Sequence, residues 1–423
     1  MAPILVPGPI ALAILGTYIF CCIFFVYYCL IAFPHDSEMA YFVQITLPNA
    51  SWNRLSKICG AKVMGVLGHI KSRIFVVFYF TIVGGCWSIV FSQMYPWLLY
   101  ESPGVSNIHA YIGIFVFLAC FGAWALANAS RPGFITSRSF RRFDHYPYDN
   151  LMFQSGTKCE TTKLYRIPRS KYDRMKYDGI VPRYDHFCGW THNTYGEENY
   201  RWFLLFLLNH VVMCFYGTYV SYLLFTNEIR EKRLMDLTFF DRQTGETLQG
   251  SYKIVFQYMY ARRTHCIGVA IVMFVMGIAL ALFLGYHVYI TSMGQTTNEN
   301  GKWSDVQNWY KKQQALYQKA VKQGLVPATN NDVESTDDDS EDGPVAGIAD
   351  PGPLPKNIYN QGFVQNWSEV IFPLSLRKDA LSRGGYTAAI IEQSKKSQTT
   401  KESKQTKSPR AAFSRRSEKP KDI

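Results

Sequence analysis

The chain has 423 residues, 48% of them apolar and 16% aromatic, with a net charge of +12 at pH 7. That is length enough for several domains, but the apolar residues gather in runs of 20 or more instead of dispersing as in a water-soluble protein. This excludes a purely soluble globular enzyme and argues for a multipass membrane protein.

The hydropathy pattern predicts an all-α polytopic membrane protein with about five transmembrane helices, over about Ile10–Phe33, Ile74–Leu99, Ile108–Ala129, Trp202–Phe225 and Cys266–Ile290. The first run lacks a basic leader and is too long for a cleaved signal peptide, so it reads as a retained anchor. Residues 1–129 hold the first three spans, with a polar loop at 34–73 carrying five basic residues. The segment 130–201 carries thirteen basic and eight acidic residues and reads as a small irregular cytosolic domain between spans three and four. Spans four and five fill 202–291. The stretch 292–393 is expected in the cytosol, with an acidic disordered insertion over Asn330–Asp350, and 394–423 reads as a disordered basic tail. This charge pattern puts the N-terminus in the lumen and the C-terminus in the cytosol. The segment Thr226–His265 runs against the rule, because its seven basic residues must then be lumenal. A lipid surface suits the basic tail, and nucleic acid is a poor partner for a membrane-anchored chain. Asn49-Ala50-Ser51 matches a glycosylation sequon but lies in a loop expected to be cytosolic.

Seven of the ten cysteines fall in or beside spans, where Cys acts as a small apolar residue. Within the central segment, Tyr184-Asp185-His186-Phe187-Cys188-Gly189-Trp190 sets a carboxylate, an imidazole and a thiol within four residues. A thiol attacks as thiolate, a neighbouring imidazole can take its proton, and a carboxylate can hold that imidazole in one tautomer. Asn209 and His210 lie inside the fourth span and are expected to make interhelical hydrogen bonds. His145 and His192 carry no separate signal.

The segment resembles the DHHC family of protein S-acyltransferases. The likeness rests on Cys159, on Arg166-Ile167-Pro168-Arg169-Ser170-Lys171, on Asp185-His186-Phe187-Cys188-Gly189-Trp190, and on Asn193 and Gly196-Glu197-Glu198-Asn199-Tyr200. Thr296-Thr297-Asn298-Glu299 matches the TTxE motif, and Asn357–Phe363 with Asn366-Trp367 resembles the C-terminal aromatic motif. The resemblance implies transfer of a long-chain acyl group, such as palmitoyl, from acyl-CoA to cysteines of membrane-associated proteins. Cys188 would be the nucleophile, His186 the base and Asp185 its orienting partner. Trp190, Thr297, Asn357 and Asn366 would support the site, and Arg166, Arg169, Lys171 and Arg183 would meet CoA phosphates. Family members bind two structural zinc ions through Cys and His ligands. Here Cys159 remains and the other positions read Thr162, Tyr172, Asp173, Lys176, about Gly179, Phe187 and Thr194, so no metal is expected. Packing of Tyr165, Tyr172, Tyr177, Tyr184 and Phe187, and pairing of Arg or Lys with Asp173 and Asp178, would then hold the domain. The analogy also implies an endoplasmic reticulum or Golgi membrane. Two rival readings are a non-catalytic scaffold that has kept the fold, and a transporter or channel. The second would need polar residues across several spans, and few are present.

Overall fold

The computed structural model describes residues 3–4, 61–241, 245–324 and 350–392, with side chains in the first helix from Arg73 onward. The expected first span, the acidic insertion and the basic tail lie outside the described residues. A two-residue strand β1 (Pro3–Ile4) precedes helix α1 (Ala61–Ile89), a π-helical turn (Val90–Met94) and α2 (Tyr95–Tyr100). Then come α3 (Ile108–Ala129) and the short α4 (Phe140–Phe143). Two antiparallel ribbons follow, β2 (Lys171–Asp173) with β3 (Gly179–Val181) and β4 (His186–Cys188) with β5 (Asn193–Tyr195). Helix α5 (Tyr200–Glu231), strands β6 (Thr238–Asp241) and β7 (Thr247–Gln249), α6 (Tyr252–Ser292), α7 (Thr297–Lys322) and α8 (Phe363–Ile371) complete the order.

Four helical stretches, Arg73–Tyr100, Ile108–Ala129, Tyr200–Glu231 and Tyr252–Ser292, are long and apolar enough to cross a bilayer. This is an integral membrane protein. The small residues of α3 explain its packing. Ala110, Gly113, Val116, Cys120, Ala123 and Ala127 recur every three or four positions and are buried, whereas Ile112, Phe115 and Leu118 remain exposed as a lipid-facing surface. His210 does bond across helices, its Nε2 lying 2.9 Å from the Tyr79 hydroxyl. The Asn209 side chain instead donates to Leu205 O one turn back in its own helix, and the bond it makes across helices is through its backbone carbonyl, which accepts from Cys120 Sγ of α3 at 3.3 Å.

Residues 101–107, 232–241 and 245–251 lie at one end of this bundle, and the segments 130–199, 293–324 and 350–392 at the other. β1 pairs with β6, Pro3 with Phe240 and Ile4 with Asp241, so the N-terminal strand shares the first end. The basic excess of Thr226–His265 finds its explanation here. Glu228 is buried and pairs with Lys232, Arg262 and Arg263, while Glu101 pairs with Arg262 and Arg263 and the Arg263 guanidinium stacks on Trp97. These cations are engaged in tying three elements together, so they are poor markers of sidedness.

Candidate active site

The β4–β5 ribbon supports the Asp-His-x-Cys stretch from beneath. Asp185 N donates to Tyr195 O at 2.8 Å, and the register then pairs His186 with Tyr195, Phe187 with Thr194 and Cys188 with Asn193. Alternation along β4 turns His186 and Cys188 to the same face. Asp185 is buried and its carboxylate is fully engaged: His186 Nδ1 lies 2.6 Å from Oδ2, and Thr297 donates its backbone N–H to Oδ1 at 2.8 Å and its hydroxyl to Oδ2 at 2.9 Å. A carboxylate only accepts, so Nδ1 carries the proton, and Nε2 lies on the ring edge turned away from that carboxylate. The imidazole is wedged by Phe203 at 4.7 Å, Tyr195 at 5.4 Å and His287 at 5.8 Å between ring centroids.

Electrostatics follow from this packing. Burial alone would raise the Asp185 pKa, but the His186 hydrogen bond and charge hold it well below the usual carboxylate range. Burial would likewise lower His186, yet the bonds to Asp185 and Cys188 push it clearly upward. Cys188 is lowered: burial opposes ionisation, and hydrogen bonds from His186 and Thr191 outweigh it. The three groups thus favour a thiolate facing an imidazolium.

The turn after Cys188 meets the spans. Trp190 packs against Phe75 and Phe78 of α1, and its carbonyl accepts from Trp124 Nε1 of α3 at 3.2 Å. Cys188 shares a buried cluster with Tyr79, Ala123, Ala127, Phe203 and Val370, drawn from α1, α3, α5 and α8. The sulfur therefore sits where the membrane-spanning helices end and the polar domain begins.

Thr296 caps α7 through a capping box with Glu299, while its neighbour Thr297 binds Asp185, so one motif starts the helix and holds the acid. Glu299 in turn takes a bidentate ion pair from Arg169 at 2.7 Å. The Arg169 guanidinium lies 4.7 Å from the Tyr146 ring and 4.8 Å from the Tyr359 ring. Arg169 and Arg183 are 1% and 2% exposed, so the expectation that they meet CoA phosphates at the surface needs correction. Arg169 is an internal strut paired with Glu299, and Arg183 lies over the Tyr200 ring at 5.9 Å, with its Nε buried and without a hydrogen-bond partner among the described residues. Arg166 and Lys171 are exposed, and Lys171 donates to Asn298 Oδ1 at 3.3 Å. Asn357 Nδ2 donates to Met293 O and Asn366 Nδ2 to Ser292 O, which fastens α8 to the end of α6. His145, without signal in the sequence, is buried against Glu197, which also accepts the Ser375 N–H. Only the folded chain brings residues 145, 197 and 375 together.

The residues at the family's zinc positions do not fit a metal ion. Asp173 already accepts from Met175 N, Tyr177 N and the Thr194 hydroxyl. The Lys176 ammonium reaches Asn193 Oδ1 at 3.1 Å, and a cation there would repel a second one. Among the described residues no three His, Cys, Asp or Glu side chains form a group able to hold a metal. The packing differs from the expected aromatic one: Cys159 joins Ile135, Phe143, Ile167 and Ile180, with Tyr172 at the margin. Among the described residues neither expected ion pair forms at the aspartates either. Asp173 takes neutral donors, and Asp178 accepts the Tyr172 hydroxyl.

Residues 152–304 match the family described as DHHC palmitoyltransferase. The chain is 26% identical to palmitoyltransferase SWF1 of Yarrowia lipolytica over 77% of its own length and 87% of that protein's. It is 32% identical to palmitoyltransferase swf1 of Emericella nidulans over 48% of each chain. With palmitoyltransferase ZDHHC4 of Mus musculus it shares 26% identity, over 57% of this chain and 66% of the other.

Proposed function

As a member of the DHHC palmitoyltransferase family the chain is a protein S-acyltransferase, and we propose that it carries the acyl group on Cys188 without structural zinc. The Cys188 thiolate attacks the carbonyl carbon of acyl-CoA, the C–S bond to CoA breaks, and the departing CoA sulfur takes the proton from His186. In the second half-reaction neutral His186 removes the proton of a substrate cysteine. That thiolate attacks the Cys188 thioester, and Cys188 leaves as thiolate. Asp185 stays ionised throughout and keeps Nε2 turned to the sulfur. General base catalysis of this kind contributes ~100- to 10,000-fold. The observation that carries the reading is the line of hydrogen bonds from the Thr297 hydroxyl through Asp185 to His186, with Cys188 on the same face of β4 as that imidazole.

Arg166 and Lys171, exposed at the polar end, are the cations offered to CoA phosphates, and the substrate cysteines belong to membrane-associated proteins. The catalytic end faces the cytosol and the end bearing β1, β6 and β7 faces the lumen of the endoplasmic reticulum or Golgi. The shared end of β1 and the β6–β7 hairpin supports that orientation. A scaffold without catalysis has no use for a thiol poised as thiolate, which favours the enzyme. The test is acyl-CoA labelling of the purified chain: wild type takes up hydroxylamine-labile label and Cys188→Ser takes up none. Equal labelling of the two removes Cys188 from the mechanism. Elemental analysis of the same preparation tests the metal, with one or two bound zinc ions per chain counting against the metal-free domain.

A further inference from the structure

Helix α6 lays one face along the buried cluster that holds Cys188. Leu280, Phe283 and Leu284 pack against that cluster, and His287 follows them on the same face. His287 is 1% exposed. Its ring centroid lies 4.7 Å from that of Phe283, 4.9 Å from Phe203 and 5.8 Å from His186. Phe203 is as close to His186, at 4.7 Å, so the two imidazoles share one aromatic wall of the cluster that contains the sulfur. The Nδ1 edge of His287 is occupied by the Tyr200 hydroxyl at 2.8 Å. A phenol is the better donor and an imidazole nitrogen the better acceptor, so Tyr200 donates and His287 carries its own hydrogen on Nε2. That Nε2 is buried and has no hydrogen-bond partner among the described residues. A buried N–H without an acceptor is costly, and a folded protein keeps one where a ligand brings the acceptor. What comes to Cys188 is a thioester, whose carbonyl oxygen accepts hydrogen bonds and becomes an anion when the sulfur attacks.

We infer that His287 is a further catalytic residue of the acyl transfer, its Nε2–H receiving the thioester carbonyl oxygen as charge builds there. The inference rests on Cys188 being the nucleophile. When the Cys188 thiolate bonds to the carbonyl carbon, the π pair of the C=O bond moves to oxygen. His287 holds that oxyanion by a hydrogen bond and keeps its proton. The pair returns as the bond to the CoA sulfur breaks, and that sulfur takes its proton from His186. The second half-reaction uses the same donor, with a substrate thiolate attacking and the Cys188 sulfur leaving. The two imidazoles thus divide the work: His186 moves a proton, and His287 only lends one. Tyr200 is a positioning residue, since its hydroxyl fixes the tautomer of His287.

The experiment uses the full detergent-solubilised chain and compares two reactions of Cys188. One is single-turnover self-acylation at saturating acyl-CoA, which builds an oxyanion. The other is alkylation by iodoacetamide, a displacement at a methylene carbon that builds none. Loss of one oxyanion donor costs ~100- to 1,000-fold in rate. His287→Phe keeps a ring against Phe203 and is expected to slow self-acylation ~100-fold while alkylating at the wild-type rate. His287→Gln restores an N–H donor and is expected to recover much of that loss. Tyr200→Phe leaves the donor but frees its tautomer, so a smaller loss of ~10-fold is expected. A His287→Phe variant that acylates as wild type overturns the inference. So does a fall in alkylation equal to the fall in acylation, which marks a disturbed thiol, and so does a glutamine variant no faster than the phenylalanine one. Should His287→Phe fail to fold, Tyr200→Phe decides, with unchanged acylation rejecting the donor. If wild type and Cys188→Ser label alike, it is the underlying nucleophile assignment that fails.

Discussion

The two ribbons of the polar domain each bury one carboxylate, and the two are put to opposite uses. Asp173, at the end of β2, accepts from two backbone N–H groups and the Thr194 hydroxyl, all neutral, and so closes a turn and stitches the first ribbon to the second. Asp185, one residue before β4, accepts from the two donors of Thr297 and from an imidazole that gains charge as it does so. One acid is consumed by architecture; the other passes its influence on to a sulfur. Burial of a carboxylate therefore says little about catalysis, and what separates the two cases is whether a donor is itself titratable.

The contrast can be broken in several ways, beginning with the largest effect. Asp185→Asn should keep the ribbon but lose the preference for imidazolium, lowering single-turnover acylation by ~100- to 10,000-fold. Its melting temperature should move far less than its rate. Asp173→Ala reverses the balance. It leaves buried donors unmatched and should cost about 1–3 kcal/mol, read as a lower melting temperature, while the folded fraction acylates at the wild-type rate. A rate collapse in Asp173→Ala equal to that of Asp185→Asn would erase the distinction. Thr297→Val removes one of the two donors of Thr297 and spares its backbone N–H, so a loss of ~10-fold in rate is expected. The smallest effect concerns pH. Cys188 is lowered and His186 raised, so alkylation in wild type should reach half its plateau below ~8.5, the value of an ordinary thiol. In Asp185→Asn the support for imidazolium weakens and the midpoint should climb back toward that value.

Much of this was legible before any coordinates. Long apolar runs need a bilayer, and four of them appear as helices, two with nearly the expected ends and two longer, since the fourth runs on to Glu231 and the fifth begins at Tyr252. The closeness of Asp185, His186 and Cys188 is local in the chain, so spacing alone sufficed to propose it. The arginines were not legible. Arg166, Arg169 and Arg183 look alike in sequence, and what buries Arg169 is Glu299, 130 positions away, with Tyr146 and Tyr359 on either side. The same distance problem hid His145 and Glu197. Asp173 was read as an ion-pair partner because basic residues crowd it in sequence, yet short loops let backbone N–H groups arrive first.

The C-terminal stretch clasps the polar domain from outside: Thr387 and Ala388 donate to Asp144, Arg141 reaches Arg383 O, and Val370 enters the cluster around Cys188. A polypeptide still emerging from the ribosome lacks that clasp until Thr387 and Ala388 have been made. The thiol is therefore seated only after α6 and α8 have both been translated, well after its own ribbon.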